Sequence, residues 1–258
     1  MLTPAKRLKE QLASGDTVVG VLATDHIWPT LVELCQEGGL DYLVIDREHG
    51  PHTDDAVAQV CQLARVMEFP ALMRTVSCEL MELRRAIDLG PCGLILPCIE
   101  SAEQLDAVRD AIQMPPRGKR RPGGMGKYWM RNVHYETWRD EFEEHFIVVP
   151  QIETKAGLEN VDAIASHPIT TALGLGPYDL SADLGCCWNP DDPAHKEAVA
   201  TIRAAADRAG KKLWMAGDPG QRRAEGYTFL WFGTVSSVIS KGFAANVEAA
   251  RSAASRPG

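Results

Sequence analysis

Two acidic residues, Glu153 and Asp179, come shortly after two apolar segments of the chain. The run 146–149 (FIVV) has no polar residue, as in a strand that is covered on both faces, and it leads to Glu153. The segment 171–175 leads in the same way to Asp179. About 20 residues separate the two segments, which is room for one crossover helix between parallel neighbours. Both carboxylates are therefore predicted at the carboxyl ends of adjacent parallel strands.

Two carboxylates held close together need a cation or a shared proton. Neither Glu153 nor Asp179 has a histidine or cysteine beside it in the sequence. A set of oxygen ligands without imidazole or thiolate suits a hard divalent ion such as Mg²⁺ or Mn²⁺. A simpler interpretation stays open, in which Glu153 starts a helix and Asp179 forms a turn.

Other polar side chains also follow predicted strands. Asp46 and His49 come after the second strand, Arg74 after the third, and Gln151 after the fifth. Each also has a simpler interpretation. Asp46 could cap a turn, and His49 could bond to a backbone carbonyl. Arg74 could pair with any acid, and Gln151 could satisfy a neighbouring backbone group. Because those interpretations require independent coincidences, the joint occurrence favours one functional site.

An alternation of strands and helices must position these residues. The chain has 258 residues, close to the roughly 250 of a (β/α)8 barrel. We predict an α/β fold in which residues 1–258 form one domain, a single TIM barrel with its active site at the carboxyl ends of the strands. The predicted strands are 17–24, 42–45, 71–73, 93–99, 146–149, 171–175, 212–216 and 229–232.

Several helix boundaries have recognisable signals. Thr53 and Ser77 are predicted to cap the helices after the second and third strands, and Ser101 with Gln104 forms a capping box for a helix over 102–113. The segment 114–145 is a long loop after that fourth helix, of a length that usually belongs to a functional lid or to disorder. Further helices are predicted over 4–13, 30–36, 191–209 and 241–255.

Charge and cysteine content exclude some classes of protein. Lys and Arg number 27 against 35 Asp and Glu, a net charge of −8, which argues against nucleic-acid and anionic-membrane partners. No segment predicts a signal peptide or a membrane span, and no G-x-G-x-x-G follows a strand to support a dinucleotide site. Seven cysteines without metal-type spacing, most of them in apolar runs, are expected to be free thiols in the cytoplasm. The four in apolar runs, expected to be buried, are Cys35, Cys61, Cys92 and Cys98.

Taken together, these motifs resemble the HpcH/HpaI aldolase family of metal-dependent (class II) pyruvate aldolases. The resemblance covers roughly residues 15–250 in order and spacing. It implies a (β/α)8 barrel that reversibly cleaves 4-hydroxy-2-oxo acids to pyruvate, or a related 2-oxo acid, and an aldehyde. The matching segments are Asp46-Arg47-Glu48-His49-Gly50-Pro51, Arg74, Gln151-Ile152-Glu153-Thr154 and 176–183 (GPYDLSAD).

The resemblance also implies a role for each residue. Glu153 and Asp179 would hold the divalent ion, which would be Mg²⁺, Mn²⁺ or Co²⁺. Arg74 would stabilise the enolate, and His49 would accept a proton. Gln151 and the Gly176-Pro177-Tyr178-Asp179 turn, through its backbone at Tyr178 and Asp179, would bind the substrate. Asp46 would orient His49. Asp88 would act in the site of a neighbouring subunit.

The implied chemistry agrees with the residue types. Charge that develops on the 2-oxo oxygen during cleavage needs a Lewis acid and a fixed guanidinium, and a 4-hydroxyl proton suits histidine. A Schiff-base mechanism would need a lysine at a strand end, and neither Lys155 nor Lys212 falls at such a position. The family further implies a homo-oligomer, a hexamer built as a trimer of dimers, in which the last helix is exchanged between partners.

Departures from the family pattern leave the aldehyde open. Arg47 and Tyr178 stand where smaller residues are common, and the basic stretch 117–131 differs in length. That stretch keeps an alternative open, an acyl-CoA lyase of the malyl-CoA or citryl-CoA type with a basic groove for CoA phosphates. A non-catalytic barrel that only binds a ligand is the other alternative, and the intact set of charged groups argues against it.

Overall fold

The structure is a computed structural model that describes residues 2–121 and 134–254. Eight parallel strands pair in sequence order, and the eighth pairs with the first to close a barrel. The predicted (β/α)8 barrel is therefore confirmed. The strands are β1 (Val18–Ala23), β2 (Tyr42–Asp46), β3 (Ala71–Arg74), β4 (Gly93–Leu96), β5 (Ile147–Ile152), β6 (Leu173–Leu175), β7 (Leu213–Ala216) and β8 (Phe229–Thr234).

Helices surround the barrel, and several short helices lie at its carboxyl end. The helices are α1 (Leu2–Ser14), α2 (Leu31–Glu37), α3 (Asp54–Val66), α4 (Leu80–Asp88), α5 (Ala102–Ile112), α6 (Tyr135–His145), α7 (Lys155–Glu159), α8 (Val161–Ser166), α9 (Pro177–Asp183), α10 (Pro193–Arg208), α11 (Pro219–Ala224) and α12 (Val235–Ala254).

The interior of the barrel is packed by side chains from opposite sides. The ring of Tyr42 lies against Gly20, where a Cβ would overlap it, so only glycine leaves room for the aromatic ring. The Tyr42 hydroxyl donates to the Leu230 carbonyl at 2.6 Å and accepts from Trp214 Nε1 at 2.8 Å. This network satisfies the polar atoms of two large buried side chains and ties β2, β7 and β8 together.

Strand register sets which residues meet at the carboxyl end. Asp46, the last residue of β2, pairs with Arg74, the last residue of β3. On the other side of the barrel, Gln151 of β5 pairs with Gly174 of β6. Because all strands run in the same direction, the polar residues at their ends face one mouth.

Three predicted caps have different outcomes. The capping box of Ser101 and Gln104 is present, and Thr53 also caps its helix. Ser77 was predicted to cap α4, which is wrong, because Glu79 is the N-cap residue and makes no side-chain capping bond. The Ser77 hydroxyl instead accepts from the Glu79 backbone N–H at 3.3 Å, one turn before the helix begins.

Three element boundaries also differ from the predictions. β4 ends at Leu96 rather than residue 99, where Pro97 and the positive φ of 51° at Cys98 interrupt extended backbone. The segment 114–145 contains α6, so it is not one continuous loop; residues 122–133 lie outside the described ranges. The last helix, α12, begins at Val235, immediately after β8.

The cysteines differ from their predicted burial in one case. Cys35, Cys61 and Cys92 are buried as predicted, whereas Cys98 is exposed at the barrel mouth. Apolar neighbours in the sequence predicted its burial wrongly, because the turn after β4 directs the residue outward. None of the helices in the described residues has the length and apolar character that crossing a membrane requires.

Candidate active site

A cavity of about 380 Å³ opens at the carboxyl end of the barrel. Its walls come from β1, β2, β3, β5, β6, β7 and β8 and from the turns after them, so residues distant in sequence meet there. The predicted site residues that line it are Asp46, His49, Arg74, Gln151, Gly176, Pro177, Tyr178 and Asp179.

Arg74 and Asp46 form a buried, bidentate ion pair in this cavity. Arg74 Nε donates to Asp46 Oδ1 at 2.9 Å, and Nη2 donates to Oδ2 at 2.6 Å. Burial alone would raise the pKa of Asp46, but hydrogen bonds from Arg74 and its charge, with a bond from Thr24, hold that pKa below its ordinary value. The Asp46 bonds likewise raise the pKa of Arg74, despite burial, so both groups are ionised.

Glu48 belongs to the same cluster, although no role was predicted for it from the sequence. Its Oε2 lies 3.1 Å from Arg74 Nη1 but makes no hydrogen bond of good geometry. The pKa of Glu48 is raised above its ordinary value, mainly by burial and further by the charge of Glu153, although the charge of Arg74 lowers it. The signal that could have found Glu48 is its position two residues after Asp46, on the same loop.

His49 stands at the open side of the cavity, with 57% of its side chain exposed. Its Nε2 is 3.9 Å from Glu48 Oε2. The Asp46 carboxylate accepts from the His49 backbone N–H at 3.4 Å, and in the described part of the chain no hydrogen bond joins this carboxylate to the imidazole ring. Asp46 therefore fixes the loop that carries His49, and any orientation of the imidazole acts through that loop.

Glu153 lies under the mouth and is almost fully buried, at 2% exposure. Its Oε1 accepts from the Cys98 backbone N–H at 2.6 Å, and its Oε2 accepts from the side-chain amide of Gln151. The other oxygen of that amide, Gln151 Oε1, is buried and has no hydrogen-bond partner. An unsatisfied acceptor of this kind marks a place for a bound group or water.

Gly176 makes the approach to Glu153 possible. A Cβ at this position would overlap the Glu153 carboxylate and lie 2.8 Å from Gln151 Nε2. Because glycine has no side chain, the backbone that leads into α9 passes directly over the carboxylate. This places the first turn of α9, with Asp179, at the rim of the cavity.

The mouth carries more negative than positive charge. Asp46, Glu48 and Glu153 interact with one cation, Arg74. Cys98 is exposed on one side, but the part of its thiol that is removed from water and then the charges of Glu153, Glu48 and Asp179 raise its pKa to about 12. A divalent cation between Glu153 and Asp179 fits this imbalance and the oxygen-rich ligand set.

Other expected residues lie elsewhere. Asp88, at the end of α4, lines no part of this cavity, and its Oδ1 is 3.5 Å from Arg120 Nη2. Lys212 precedes β7 at the opposite end of the barrel, and Lys155 begins α7 away from the cavity walls. In the described residues, no three acidic, histidine or cysteine side chains are arranged to enclose a metal ion by themselves.

Comparison with known proteins identifies a family whose members match most of this chain. The family model of the HpcH/HpaI aldolase/citrate lyase family matches residues 26–240. The chain is 35% identical over 218 residues to a 4-hydroxy-2-oxovalerate aldolase of Novosphingobium aromaticivorans, covering 81% of each chain. It is 30% identical over 221 residues to a hydroxypyruvate/pyruvate aldolase of Pseudomonas aeruginosa, covering 80% of this chain and 78% of that one.

A solved structure has the same fold over nearly the whole length. The crystal structure of an HpcH/HpaI aldolase from Desulfitobacterium hafniense superimposes with a TM-score of 0.86 at 27% identity, covering 97% of this chain and 98% of that one. Fold, motifs and sequence similarity coincide in one group of proteins, and the chain belongs to the HpcH/HpaI aldolase/citrate lyase family.

Proposed function

We propose that this chain is a class II pyruvate aldolase that cleaves a 4-hydroxy-2-oxo acid reversibly to pyruvate and an aldehyde at the cavity formed by Arg74, His49 and Gln151. The observation that carries the proposal is the buried cluster at the mouth, where an excess of carboxylates surrounds one guanidinium with unused donors. Relatives named as aldolases of 2-oxo acids, at 30–35% identity, support this reaction class.

Glu153 and Asp179 are the residues that would hold the divalent ion. Class II aldolases of this family generally depend on such an ion. When bound, it supplies a Lewis acid for the 2-oxo acid. Gln151 and the backbone at the start of α9 line the same cavity and would orient the carboxylate of the substrate. We expect Mg²⁺, Mn²⁺ or Co²⁺, since the two protein ligands offer only oxygen.

Arg74 is positioned to stabilise the enolate. Guanidinium has five N–H groups. Two of them donate to Asp46 and one faces Glu48, so two remain for a ligand. Because Asp46 fixes the plane of the guanidinium, these donors are in place before charge develops on the 2-oxo oxygen. Fixed donors of this kind stabilise a transition state without reorganisation.

His49 is the group that accepts the 4-hydroxyl proton. It is exposed at the cavity edge, where the C4 end of a substrate would lie. Loss of that proton accompanies cleavage of the C3–C4 bond, whose electron pair stays with the pyruvate fragment as the enolate. Protonation at C3 then gives pyruvate. A ring nitrogen of imidazole can accept a proton and return it, which suits this role.

The acyl-CoA alternative has less support from the described residues. In the basic stretch, Arg117 pairs with Asp140 and Glu143, and Lys119 pairs with Asp110 at 2.7 Å. These cations are neutralised by the chain itself and offer little free charge to CoA phosphates. Residues 122–131 of the predicted groove lie outside the described ranges.

We also propose a homo-oligomer, with a hexamer of exchanged dimers as the form that family resemblance implies. The long helix α12 has four large apolar side chains that are 40–70% exposed. A contact with a second copy would bury them. Those side chains are Val238, Ile239, Phe243 and Val247.

Metal removal tests the proposed function. We expect exhaustive chelation to abolish cleavage and Mn²⁺, Mg²⁺ or Co²⁺ to restore it. Calorimetric titration of the metal should show strongly weakened binding for Glu153→Gln, which keeps the shape but loses a charge. Glu159→Gln, an exposed residue at the end of α7, is the control and should bind normally. Full activity without metal, or unchanged affinity in Glu153→Gln, would contradict the metal assignment.

A further inference from the structure

A separate cavity of about 270 Å³ lies at the amino end of the barrel, away from the candidate active site. Its walls come from α1, from the end of α5, and from the residues that precede or begin β5, β6 and β7. The described residues that line it include none that line the cavity at the barrel mouth. The proposed aldolase chemistry therefore leaves this cavity without a role.

The charged side chains around this cavity are mostly cations. They are Lys9, Arg109, Lys211, Lys212 and Glu143. Arg109 already pairs with Asp106 at 2.5 Å and with Asp110 at 3.1 Å. Glu143, the acid of this set, pairs with Arg117 at 2.7 Å. The positive charge that remains in the cavity is therefore that of the three lysines.

These three lysines are half-buried and have no carboxylate partner. In the described part of the chain, lysines form ion pairs only at Lys119 and Lys196. Burial lowers the pKa of Lys9, and the nearby charge of Lys211 lowers it further, although the charge of Glu144 raises it. Like charges that are close together and partly removed from water are stabilised by a counter-ion.

The Lys9 ammonium makes one hydrogen bond to the protein. Its Nζ donates to the Glu144 backbone carbonyl at 2.5 Å, and an ammonium group has three N–H donors. The Lys212 Nζ lies next to Gly15, just after the end of α1, which brings it to the same helix. The cavity thus holds unused donors on both of its sides, from α1 and from the segment before β7.

The remaining walls indicate which kind of anion fits. Leu12, Ile112 and Phe146 are buried apolar residues that can contact a short carbon skeleton. The volume suits a small molecule, since it lies just below the range of about 300–1,000 Å³ that is typical of drug-sized ligands. Lysine binds phosphate as a point charge, whereas arginine matches the planar carboxylate, and Arg109 is already engaged.

We propose that this cavity binds a small organic phosphate, with the phosphate group among Lys9, Lys211 and Lys212 and the carbon skeleton on the apolar wall. A bound dianion connects α1 with the segment that precedes β7. It therefore stabilises the amino end of the barrel. The proposal does not depend on the aldolase function, because the two cavities have different walls.

The test is calorimetric titration and thermal unfolding with glycerol 3-phosphate. We expect the phosphate to bind and to raise Tm, and glycerol, the uncharged comparison, to do neither. Lys211→Gln should raise Kd for glycerol 3-phosphate about tenfold, the scale of one lost hydrogen bond to a charged group. Lys212→Gln should have a similar effect. Lys6→Gln, an exposed residue of α1 outside the cavity, is the control and should bind normally.

The ligand-free protein gives a second measurement. Lys211→Gln should raise its Tm, because Lys9 no longer faces a like charge, whereas loss of a merely structural lysine would lower it. Saturating pyruvate, which is expected at the barrel mouth, should leave Kd unchanged.

Three results would overturn the site. The first is an equal Kd in wild type and Lys211→Gln. The second is displacement of glycerol 3-phosphate by pyruvate, which would place the anion at the mouth. The third is succinate binding as tightly as glycerol 3-phosphate, which would exclude selection of a phosphate.

Discussion

At the scale of single residues, Arg74 connects the structural and chemical parts of the site. Its Nε and Nη2 hold Asp46, Nη1 faces Glu48, and two N–H groups remain for a ligand in the cavity that Arg74 lines. Lysine would keep the positive charge but offers a mobile ammonium in place of a planar fork. It could not bind Asp46 at two points and also face a substrate oxygen in a fixed geometry.

We therefore expect Arg74→Lys to lose carbon–carbon cleavage and to slow exchange of pyruvate methyl protons with deuterated water. Loss of one donor to a developing oxyanion costs about 3 kcal/mol, or about a hundredfold or more in rate. His49→Ala should lose cleavage but retain pyruvate exchange, because pyruvate has no 4-hydroxyl proton to remove. An NMR time course measures cleavage and proton exchange for each variant.

The matched control is Arg208→Lys, since Arg208 also binds an aspartate through Nε and Nη2, but on the surface. It should leave exchange unchanged. If Arg74→Lys exchanges pyruvate protons as fast as the wild type, Arg74 is a structural cation at the strand end and does not stabilise the enolate.

The sequence predicted which residues come to the mouth better than it predicted their contacts. Strand-end position was sufficient to bring Asp46, Arg74 and Gln151 together, because parallel strands end at one face. It could not show that Asp46 bonds to the backbone N–H of His49 rather than to its ring nitrogens, since that depends on loop conformation. Glu48 was missed for the same reason.

At the scale of elements, the ladder between β2 and β3 places two opposite charges side by side. Asp46 and Arg74 are direct neighbours in register, and Asp46 is fully buried. Removal of one member of a buried pair leaves an unpaired charge without water around it. The pair therefore contributes to the stability of the fold as well as to the geometry of the site.

We expect Asp46→Asn to lower the free energy of unfolding by about 3–5 kcal/mol at neutral pH. The folded-state pKa of Asp46 is held below its unfolded value, so its stabilisation is full above about pH 4 and is lost as pH falls through the folded value. The difference between wild type and variant should therefore shrink towards pH 3.

Urea unfolding at pH 7, pH 5 and pH 3 measures that difference. Asp207→Asn, which removes an exposed partner of Arg203, is the control and should cost less than about 1 kcal/mol at each pH. A difference for Asp46→Asn that stays constant between pH 7 and pH 3 would argue against an ionised, Arg74-bound carboxylate.

Two serines provide a second test at this scale. Ser101 accepts from the Gln104 backbone N–H within a capping box, so Ser101→Ala should destabilise the protein by about 1 kcal/mol. Ser77→Ala, at the position that was wrongly predicted as a cap, should change stability by less than about 0.5 kcal/mol. Thermal or urea unfolding measures both changes in stability. If the two variants lost stability equally, the assignment of Ser101 as a cap and of Ser77 as a residue outside the cap would be wrong.

The element pattern shows where sequence reasoning works and where it stops. Apolar runs and their spacing predicted all eight strands, because strands covered on both faces have almost no polar residues. The short helices α9 and α11 were not predicted, since six or seven residues carry too little periodicity. The last helix, α12, begins earlier than predicted because it follows directly on the end of β8, and the local sequence pattern did not predict that junction.

At the scale of the whole molecule, the barrel buries its core but leaves one helix face uncovered. Phe243 of α12 is 70% exposed, and Val247 one turn later is 46% exposed. Contiguous exposed apolar side chains on a single chain usually mark a contact surface. In the homo-oligomer proposed above, a second copy would cover this surface.

We expect light scattering at micromolar concentration to give an oligomer, with a hexamer as the proposed form. Phe243→Asp should shift the mass towards smaller species, because a buried carboxylate at the contact costs free energy. Met81→Asp, at a residue of 69% exposure on α4, is the control. A monomer for the wild-type protein would rule out the oligomer, and a mass unaffected by Phe243→Asp would place the contact elsewhere.

Gly176 has a consequence for how the site tolerates mutation. It has no side chain that could take part in a reaction, yet any Cβ there collides with the Glu153 carboxylate. Every replacement of glycine by another amino acid adds at least one carbon atom. In a saturation library selected for activity, position 176 should be as depleted as the carboxylates themselves. An alanine scan would report the addition of one methyl group there as the loss of a functional residue.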